Sequence, residues 1–293
     1  MNLIPVERPE DFLLARQFIL PYEETCVSLA SLVRKKSDKL LFLTAGSGTP
    51  GSAKAAHSPT APTLLGLLNL DSTLYYCIPN ASKINAQELA ALLTSCGLPK
   101  KPVRCISGEK TGAEVLCQSI NLINKSEPLQ TNLYKMMKFS SKTEVPSQIL
   151  FNGDEIIRCT EKDMELLSPL QKGFIKEEIA LPGHKVTDAE VSIMLRQILK
   201  NQLCFALLSN GEAVAKANTN AIGFNCVQLG GVYTSPLYRR NGYAAALVSE
   251  LCQRASRASR TPVLFVKETN TPAHTLYQKL GFTECGRYEI AYY

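Results

Sequence analysis

Short apolar runs and amphipathic stretches alternate along the chain, and its two halves place them in a similar order. Apolar residues spaced three or four apart favour helices, whereas short apolar runs between turn signals favour strands. We expect the second helix to begin at Pro21, because a proline in the first turn lacks only an N–H that has no partner within the helix. The first half is predicted to contain two helices within 9–36, strands at 40–44, 63–70 and 73–78, a helix at 85–96, a strand at 103–106, a helix at 109–122 and a strand at 132–139.

The second half carries two strong local signals. Thr187 and Glu190 have the spacing in which a hydroxyl and a carboxylate cap the first N–H groups of a helix reciprocally. Asn210-Gly211 favours a two-residue hairpin, because both positions accept a positive φ. The predicted elements are a strand at 156–159, helices beginning at Thr160 and Thr187, strands at 204–208, 212–219 and 225–233, a helix at 245–258, a strand at 263–267, a helix at 272–280 and a final strand through Ile290.

Length and local composition divide the chain in two. Its 293 residues exceed an average domain of ~100 to 200, and 45% of them are hydrophobic, which suffices for two cores. Residues 46–62 are almost only Gly, Ser, Thr, Pro and Ala, which favours a mobile surface loop. Ser, Lys, Thr and Pro dominate 140–147, which favours a linker. We therefore predict a first domain at 1–140, a linker at 141–154 and a second domain at 155–293.

The apolar segments are too short for a membrane span. No run approaches the ~18 to 20 residues that cross a bilayer, and the first residues lack the apolar core of a signal peptide. We therefore expect a soluble, cytoplasmic protein with no membrane partner. The ten cysteines are scattered without a CxxC pair, which favours reduced thiols, and Cys204 and Cys226 lie in apolar strands where we expect them to pack.

Metal and nucleic-acid sites have little support in the sequence. His57, His184 and His274 lie far apart and far from any Cys pair with zinc-ligand spacing, so no metal is predicted. The net charge of +6 suits an anionic partner, but no dense Lys/Arg cluster lies within a recognisable nucleic-acid module. We expect no nucleic-acid partner, since a polyanionic small molecule explains the charge as well.

A strand-to-helix junction in the second half has the features of an anion site. The loop between the strand ending at Thr234 and the helix from 245 contains Gly242 and small Ala244. Unpaired N–H groups at a helix start attract anions, and a glycine lets the backbone approach a phosphate closely. Arg239 and Arg240 add positive charge suited to phosphate oxygens. An ordinary turn with two solvated arginines is the alternative for this segment.

This junction resembles the GNAT family of N-acetyltransferases. The family pattern Arg/Gln-x-x-Gly-x-Gly/Ala matches at Arg239, Gly242 and Ala244, and a second motif matches at 270–273, 276–277 and 280–282. The resemblance implies an α+β fold whose mixed, mostly antiparallel sheet is flanked by helices. It covers roughly 155–293. In the first half the likeness is only one of element order, so we infer two GNAT-like domains with a degenerate N-terminal copy.

The resemblance also implies a function and a set of site residues. Acetyl-CoA would be the acyl donor, without a metal, and a primary amine of a small molecule or protein would attack it directly. The backbone of the strand end would pair with the pantetheine amides, and a strand N–H would polarise the acetyl carbonyl. The implied cofactor-binding residues are Val232, Tyr233, Thr234, Arg239, Arg240, Asn241, Gly242, Tyr243, Ala244 and Asn270.

The catalytic groups are less clearly marked. Tyr277 matches a family tyrosine that hydrogen-bonds or protonates the leaving thiolate, with core packing as the alternative. Asn270 is equally suited to cap its helix. The strand at 225–233 lacks the carboxylate that serves many relatives as the base, so Glu268 is the candidate base.

Two further possibilities stay open at this point. Glu177 and Glu178 are alternative bases, or they bind the cationic amine or form a solvated face. The absent strand carboxylate also keeps a noncatalytic acyl-CoA-binding regulatory module as the alternative function.

Overall fold

The computed structural model describes residues 1–46, 63–98, 102–140 and 153–293. Residues 47–62 of the predicted loop and residues 141–152 of the predicted linker lie outside the described residues. The chain forms two compact units: unit 1 comprises Met1–Met136 with Cys285–Tyr293, and unit 2 comprises Met137–Glu284.

Unit 1 contains the elements expected of the first half, preceded by a short strand that the sequence did not indicate. They are β1 (Asn2–Pro5), α1 (Pro9–Ile19), α2 (Val27–Arg34), β2 (Leu40–Ala45), β3 (Thr63–Asn69), β4 (Thr73–Cys77), α3 (Ala86–Ser95), β5 (Cys105–Glu109), α4 (Lys110–Asn124) and most of β6 (Gln130–Phe139). β1 to β4 pair antiparallel in chain order, and β4 pairs parallel with β5. β3 and β4 therefore form an antiparallel hairpin.

The predicted start of the second helix at Pro21 is wrong. Pro21 lies in a 3₁₀ turn, Leu20–Thr25, and α2 begins only at Val27. The backbone of Cys26, with φ −143° and ψ 39°, leaves the helical region and separates the turn from the helix.

Unit 2 contains the elements predicted for the second half, in the predicted order. They are β7 (Asp154–Arg158), α5 (Met164–Phe174), a π-helical segment (Ile175–Ile179), α6 (Asp188–Asn201), β8 (Cys204–Ser209), β9 (Glu212–Ile222), β10 (Cys226–Thr234), α7 (Tyr243–Arg257), β11 (Thr261–Lys267), α8 (Thr271–Lys279) and the start of β12 (Phe282–Tyr292). β7 to β10 pair antiparallel in chain order, and β10 pairs parallel with β11. The α+β fold with a mixed sheet is confirmed.

Both local signals of the second half are confirmed. The Glu190 carboxylate accepts a hydrogen bond from the backbone N–H of Thr187 at 2.8 Å, and the Thr187 hydroxyl accepts one from the N–H of Glu190 at 3.2 Å. The hairpin residues Asn210 and Gly211 have φ values of +51° and +85°.

The strands of unit 2 separate two apolar clusters. α7 packs residues such as Leu247 and Leu251 against Ala215 and Ala217 of β9 and Leu229 of β10. The other cluster contains residues of α5, α6 and β8, including the buried thiol of Cys204. Cys226 is buried as well, so the packing role expected of both thiols is confirmed.

The end of β12 belongs to unit 1. Its residues from Tyr288 to Tyr292 pair antiparallel with β5, and the hydroxyls of Tyr288 and Ser107 share a hydrogen bond of 2.9 Å. The domains predicted at 1–140 and 155–293 stay a prediction. The compact units differ from them in two places, since the end of β12 belongs to unit 1 and the end of β6, from Met137, belongs to unit 2. Among the described residues, no helix is long and apolar enough to cross a membrane.

Candidate functional site

A β-bulge in β10 interrupts the sheet of unit 2. Gly230 pairs with Asn218 of β9 and Tyr233 pairs with Lys216, so Gly231 and Val232 together oppose one residue. Gly231 has a φ of +59°, which a glycine adopts without strain. On the other side of β10, the ladder with β11 covers 226–229 and stops there. β10 and β11 therefore part at the bulge, and the backbone of 230–234 borders a groove between them.

The N-terminus of α7 follows this groove directly. Gly242 is its N-cap with a φ of +82°, and no side chain caps the helix. A Cβ built on Gly242 would meet no atom within 4 Å, so the backbone there is open to approach. Arg240 also has a positive φ, +69°, and is exposed with Asn241. The helix dipole and the first N–H groups of α7 therefore face an accessible surface suited to an anion.

Arg239 is anchored to the end of β10. Its Nε donates to the Thr234 carbonyl at 3.1 Å, and its Nη2 donates to both carboxylate oxygens of Glu177 at 2.9 and 2.8 Å. The Tyr233 hydroxyl donates to the same carboxylate at 2.9 Å. Burial, with the Glu177 carboxylate, raises the pKa of Tyr233. Glu177 therefore joins the π-helical segment to the strand end and to the predicted phosphate-binding arginine.

Asn270 caps α8, as the sequence allowed. Its Oδ1 accepts a hydrogen bond from the Ala273 N–H at 3.1 Å, and its Nδ2 donates to Glu178 at 3.3 Å. The Lys267 ammonium, at the end of β11, lies 3.4 Å from the same carboxylate. Glu178 is therefore held between β11 and α8.

Tyr277 lies in the packed core beneath this carboxylate. It is 7% exposed, and its ring meets the Phe282 ring edge-to-face with centroids 5.9 Å apart. Burial, with a smaller contribution from Glu178, raises the pKa of Tyr277. The Tyr277 ring therefore packs in the core, and the raised pKa keeps its phenol protonated at neutral pH. Its role toward the leaving thiolate stays a prediction.

The structure separates the candidate bases. Glu268 is exposed in the turn after β11. Glu177 and Glu178 both lie on the π-helical segment, where Glu177 pairs with Arg239 and Glu178 accepts a hydrogen bond from Asn270. Among the described residues, no group of three or more His, Cys, Asp or Glu is placed to hold a metal ion.

Sequence reasoning missed Lys216. Its side chain is fully buried in β9, and its Nζ donates to the carbonyl of Gly231, inside the bulge, at 2.9 Å. The alternation of Lys216, Asn218 and Asn220 with small residues was visible, but such a pattern ordinarily indicates a solvent-facing side of a strand.

The model of the acetyltransferase (GNAT) family matches residues 175–282, which include the bulge, the α7 N-terminus and Tyr277. These residues form a GNAT domain. The resemblance inferred from the two motifs is confirmed for the superfamily. No curated protein matches the sequence significantly.

Solved structures similar to the whole chain support the GNAT fold. A GNAT-family acetyltransferase from Colwellia psychrerythraea is 12% identical with a TM-score of 0.55, over 100% of this chain and 99% of that one. A putative GNAT-family acetyltransferase from Novosphingobium aromaticivorans is 17% identical with a TM-score of 0.50, over 92% and 96%. A Drosophila protein is 14% identical with a TM-score of 0.56, over 98% and 91%. At these identities the likeness shows the fold alone.

Among its described residues, unit 1 lacks an uncapped α-helix start after β4. The helix after β4, α3, is capped by its own Asn85, whose Oδ1 accepts from the Glu88 N–H at 3.0 Å. Tyr76 of β4 is buried, and a Cβ on Gly108 or Gly112 would overlap its ring. The Tyr76 side chain therefore fills the space beside β5 and α4 in unit 1. The inferred duplication with a degenerate N-terminal copy stays a prediction.

Proposed function

We propose that the GNAT domain transfers the acetyl group of acetyl-CoA to a primary amine by direct nucleophilic attack. One observation carries this proposal: α7 begins without a side-chain cap directly after a bulged strand whose ladder to β11 has ended. The helix start suits a pyrophosphate, and the strand edge suits an extended amide-containing chain.

The residues around the groove fit acetyl-CoA. The loop of Arg239, Arg240, Asn241 and Gly242 and the first turn of α7, with Tyr243 and Ala244, would hold the pyrophosphate. The backbone of Val232, Tyr233 and Thr234 would pair with the pantetheine amides, and Asn270, at the start of α8, would hydrogen-bond the pantetheine arm. No metal is needed for this arrangement.

A strand N–H and Tyr277 would act on the reacting thioester. Negative charge develops on the thioester oxygen during attack, and a fixed N–H from the bulge stabilises it. The pKa of Tyr277 is raised, whereas an ordinary thiol titrates near ~8.5, so complete proton transfer from the phenol to the sulfur is uphill. Tyr277 therefore acts mainly as a hydrogen-bond donor to the leaving thiolate.

Glu178 is the carboxylate best placed to receive the amine. It lies beside Asn270 and contributes to the pKa of Tyr277, whereas Glu268 faces solvent. We therefore favour Glu178 over Glu268 as the group that attracts the ammonium form and accepts its proton, directly or through water. The acceptor is a primary amine of a small molecule or of a protein.

The experiment combines calorimetric binding of acetyl-CoA with thiol release in the presence of a panel of primary amines. Binding together with amine-dependent thiol release supports the proposal. Binding of acetyl-CoA without thiol release in the presence of any amine supports instead a noncatalytic acyl-CoA-binding module. The absence of a carboxylate in β10 favours this second function. No binding to the folded protein refutes both functions.

A further inference from the structure

Lys216 is a fully buried lysine that touches the bulge rather than a carboxylate. Its Nζ donates to the Gly231 carbonyl at 2.9 Å and to Asn218 Oδ1 at 3.1 Å. The ammonium also lies over the Phe174 ring of α5, 5.2 Å from its centroid. Burying a charge is costly unless it is well hydrogen-bonded, so this placement suggests a specific role at the bulge.

The contact fixes one peptide unit of β10. Gly231 and Val232 are the two residues that oppose a single residue of β9, so that ladder does not determine the orientation of the peptide between them. The Gly231 carbonyl points toward Lys216, on the β9 side. In a trans peptide the carbonyl and the following N–H point in opposite directions, so the Val232 N–H points away from Lys216.

We propose that Lys216 is a positioning residue that holds the Gly231–Val232 peptide so that the Val232 N–H faces the groove and donates to the acyl carbonyl. This inference rests on the proposed acetyl-CoA binding. Asn218 assists, because its side chain packs so closely on Gly231 that any Cβ there would overlap it. A charged donor on one end of a peptide also polarises the N–H at the other end, because hydrogen bonds in a chain strengthen one another.

The charge of Lys216 titrates within an accessible pH range. Burial lowers the pKa of Lys216 to about 8. The titratable groups that face it are the thiols of Cys204 on β8 and Cys159 after β7. The hydrogen bond with Cys204, together with burial, raises the pKa of Cys159, so that thiol stays neutral, whereas the same hydrogen bond, with the Lys216 charge, lowers the pKa of Cys204. Below pH ~8 the ammonium strengthens the bond to Gly231, and above that pH the neutral amine leaves a weaker bond.

Isotope-edited infrared spectroscopy of bound acetyl-CoA, labelled with ¹³C at the thioester carbonyl, tests this role without a known acceptor. Lys216→Met keeps the length and burial of the side chain but removes the donor. In the wild type, we expect the carbonyl frequency of bound acetyl-CoA to lie below that of free acetyl-CoA. In Lys216→Met, most of this difference should disappear, so the frequency should be close to that of free acetyl-CoA. Lys172→Met is the matched control, because Lys172 is a partly exposed lysine of α5 paired with Asp188 and not with the bulge. That variant should keep the wild-type frequency.

A pH series on the wild type gives a second test that needs no substitution. The carbonyl shift should be largest near pH 6.5 and should decrease with a midpoint near pH 8, whereas Lys216→Met should show no such transition. Equal carbonyl frequencies for wild type and folded Lys216→Met, or a flat wild-type series if the variant does not fold, would overturn the inference. If calorimetry shows no acetyl-CoA binding to the wild type, the proposed function fails first, and the role of Lys216 fails with it.

Discussion

Removal of the Tyr277 hydroxyl should slow acyl transfer while leaving cofactor binding and the fold intact. In Tyr277→Phe the ring keeps its edge-to-face contact with Phe282, so the packing that buries it survives. What is lost is a hydrogen bond to a thiolate, and such a bond to a charged group contributes about 1.5 to 3 kcal/mol. At 1.36 kcal/mol per factor of ten, kcat should fall roughly 10- to 150-fold.

The assay is thiol release from acetyl-CoA with the amine that gives the highest turnover in the panel. Calorimetry should show an acetyl-CoA Kd within about threefold of the wild type, because the contact strengthens only as the sulfur leaves. Tyr288→Phe is the matched control, since it also removes a buried tyrosine hydroxyl, here one bonded to Ser107 in unit 1. An unchanged kcat in Tyr277→Phe would remove its assignment as the donor to the leaving group.

Three further substitutions separate stability, affinity and turnover. Ala244→Asp places a carboxylate in the first turn of α7, where it interacts favourably with the helix dipole, so Tm should be unchanged or raised. The same carboxylate repels the pyrophosphate, so acetyl-CoA should bind at least tenfold more weakly. An affinity equal to that of the wild type would contradict the anion site. Thr187→Ala removes the cap of α6 and should lower the free energy of unfolding by about 1 kcal/mol in a denaturant titration, whereas Thr187→Ser keeps the hydroxyl and should restore it. An unchanged midpoint in Thr187→Ala would show that the cap does not stabilise the protein. Glu178→Gln removes the carboxylate proposed to accept the proton of the amine, so amine-dependent thiol release should slow about 100-fold or more while acetyl-CoA affinity is kept. An unchanged rate would remove that assignment.

The helices and strands followed from the sequence wherever local chemistry specified them. The Thr187–Glu190 box and the Asn210-Gly211 turn fix their elements with residues adjacent in the chain. β1 was missed because four residues give too short a pattern, and its pairing with β2 is a long-range contact. The pairing of the end of β12 with β5 was missed for the same reason, because the two strands lie far apart in the sequence.

The residues proposed to bind the cofactor were predictable from sequence motifs, whereas the buried and paired polar side chains near the bulge were not. The place of Gly242 before α7 was predictable, because the positive φ that precedes the helix is a local property that glycine favours. The positions of Glu177, Glu178 and Lys216 depend on how α5 and the π-helical segment pack over the bulge. No short sequence pattern indicates that a lysine in a strand will be buried rather than exposed.

Calorimetric comparison of acetyl-CoA with acetyl-pantetheine, each on the wild type and on Ala244→Asp, tests the central claim most directly. Acetyl-pantetheine keeps the thioester and the pantetheine arm but lacks the pyrophosphate and the 3′-phosphoadenosine, and the substitution at the α7 N-terminus isolates the pyrophosphate part of the difference. We predict that acetyl-CoA binds at least a hundredfold more tightly, and that most of this advantage disappears in Ala244→Asp. Equal affinity for the two ligands, or no binding of acetyl-CoA to the folded protein, would contradict the assignment of the α7 N-terminus as the pyrophosphate site.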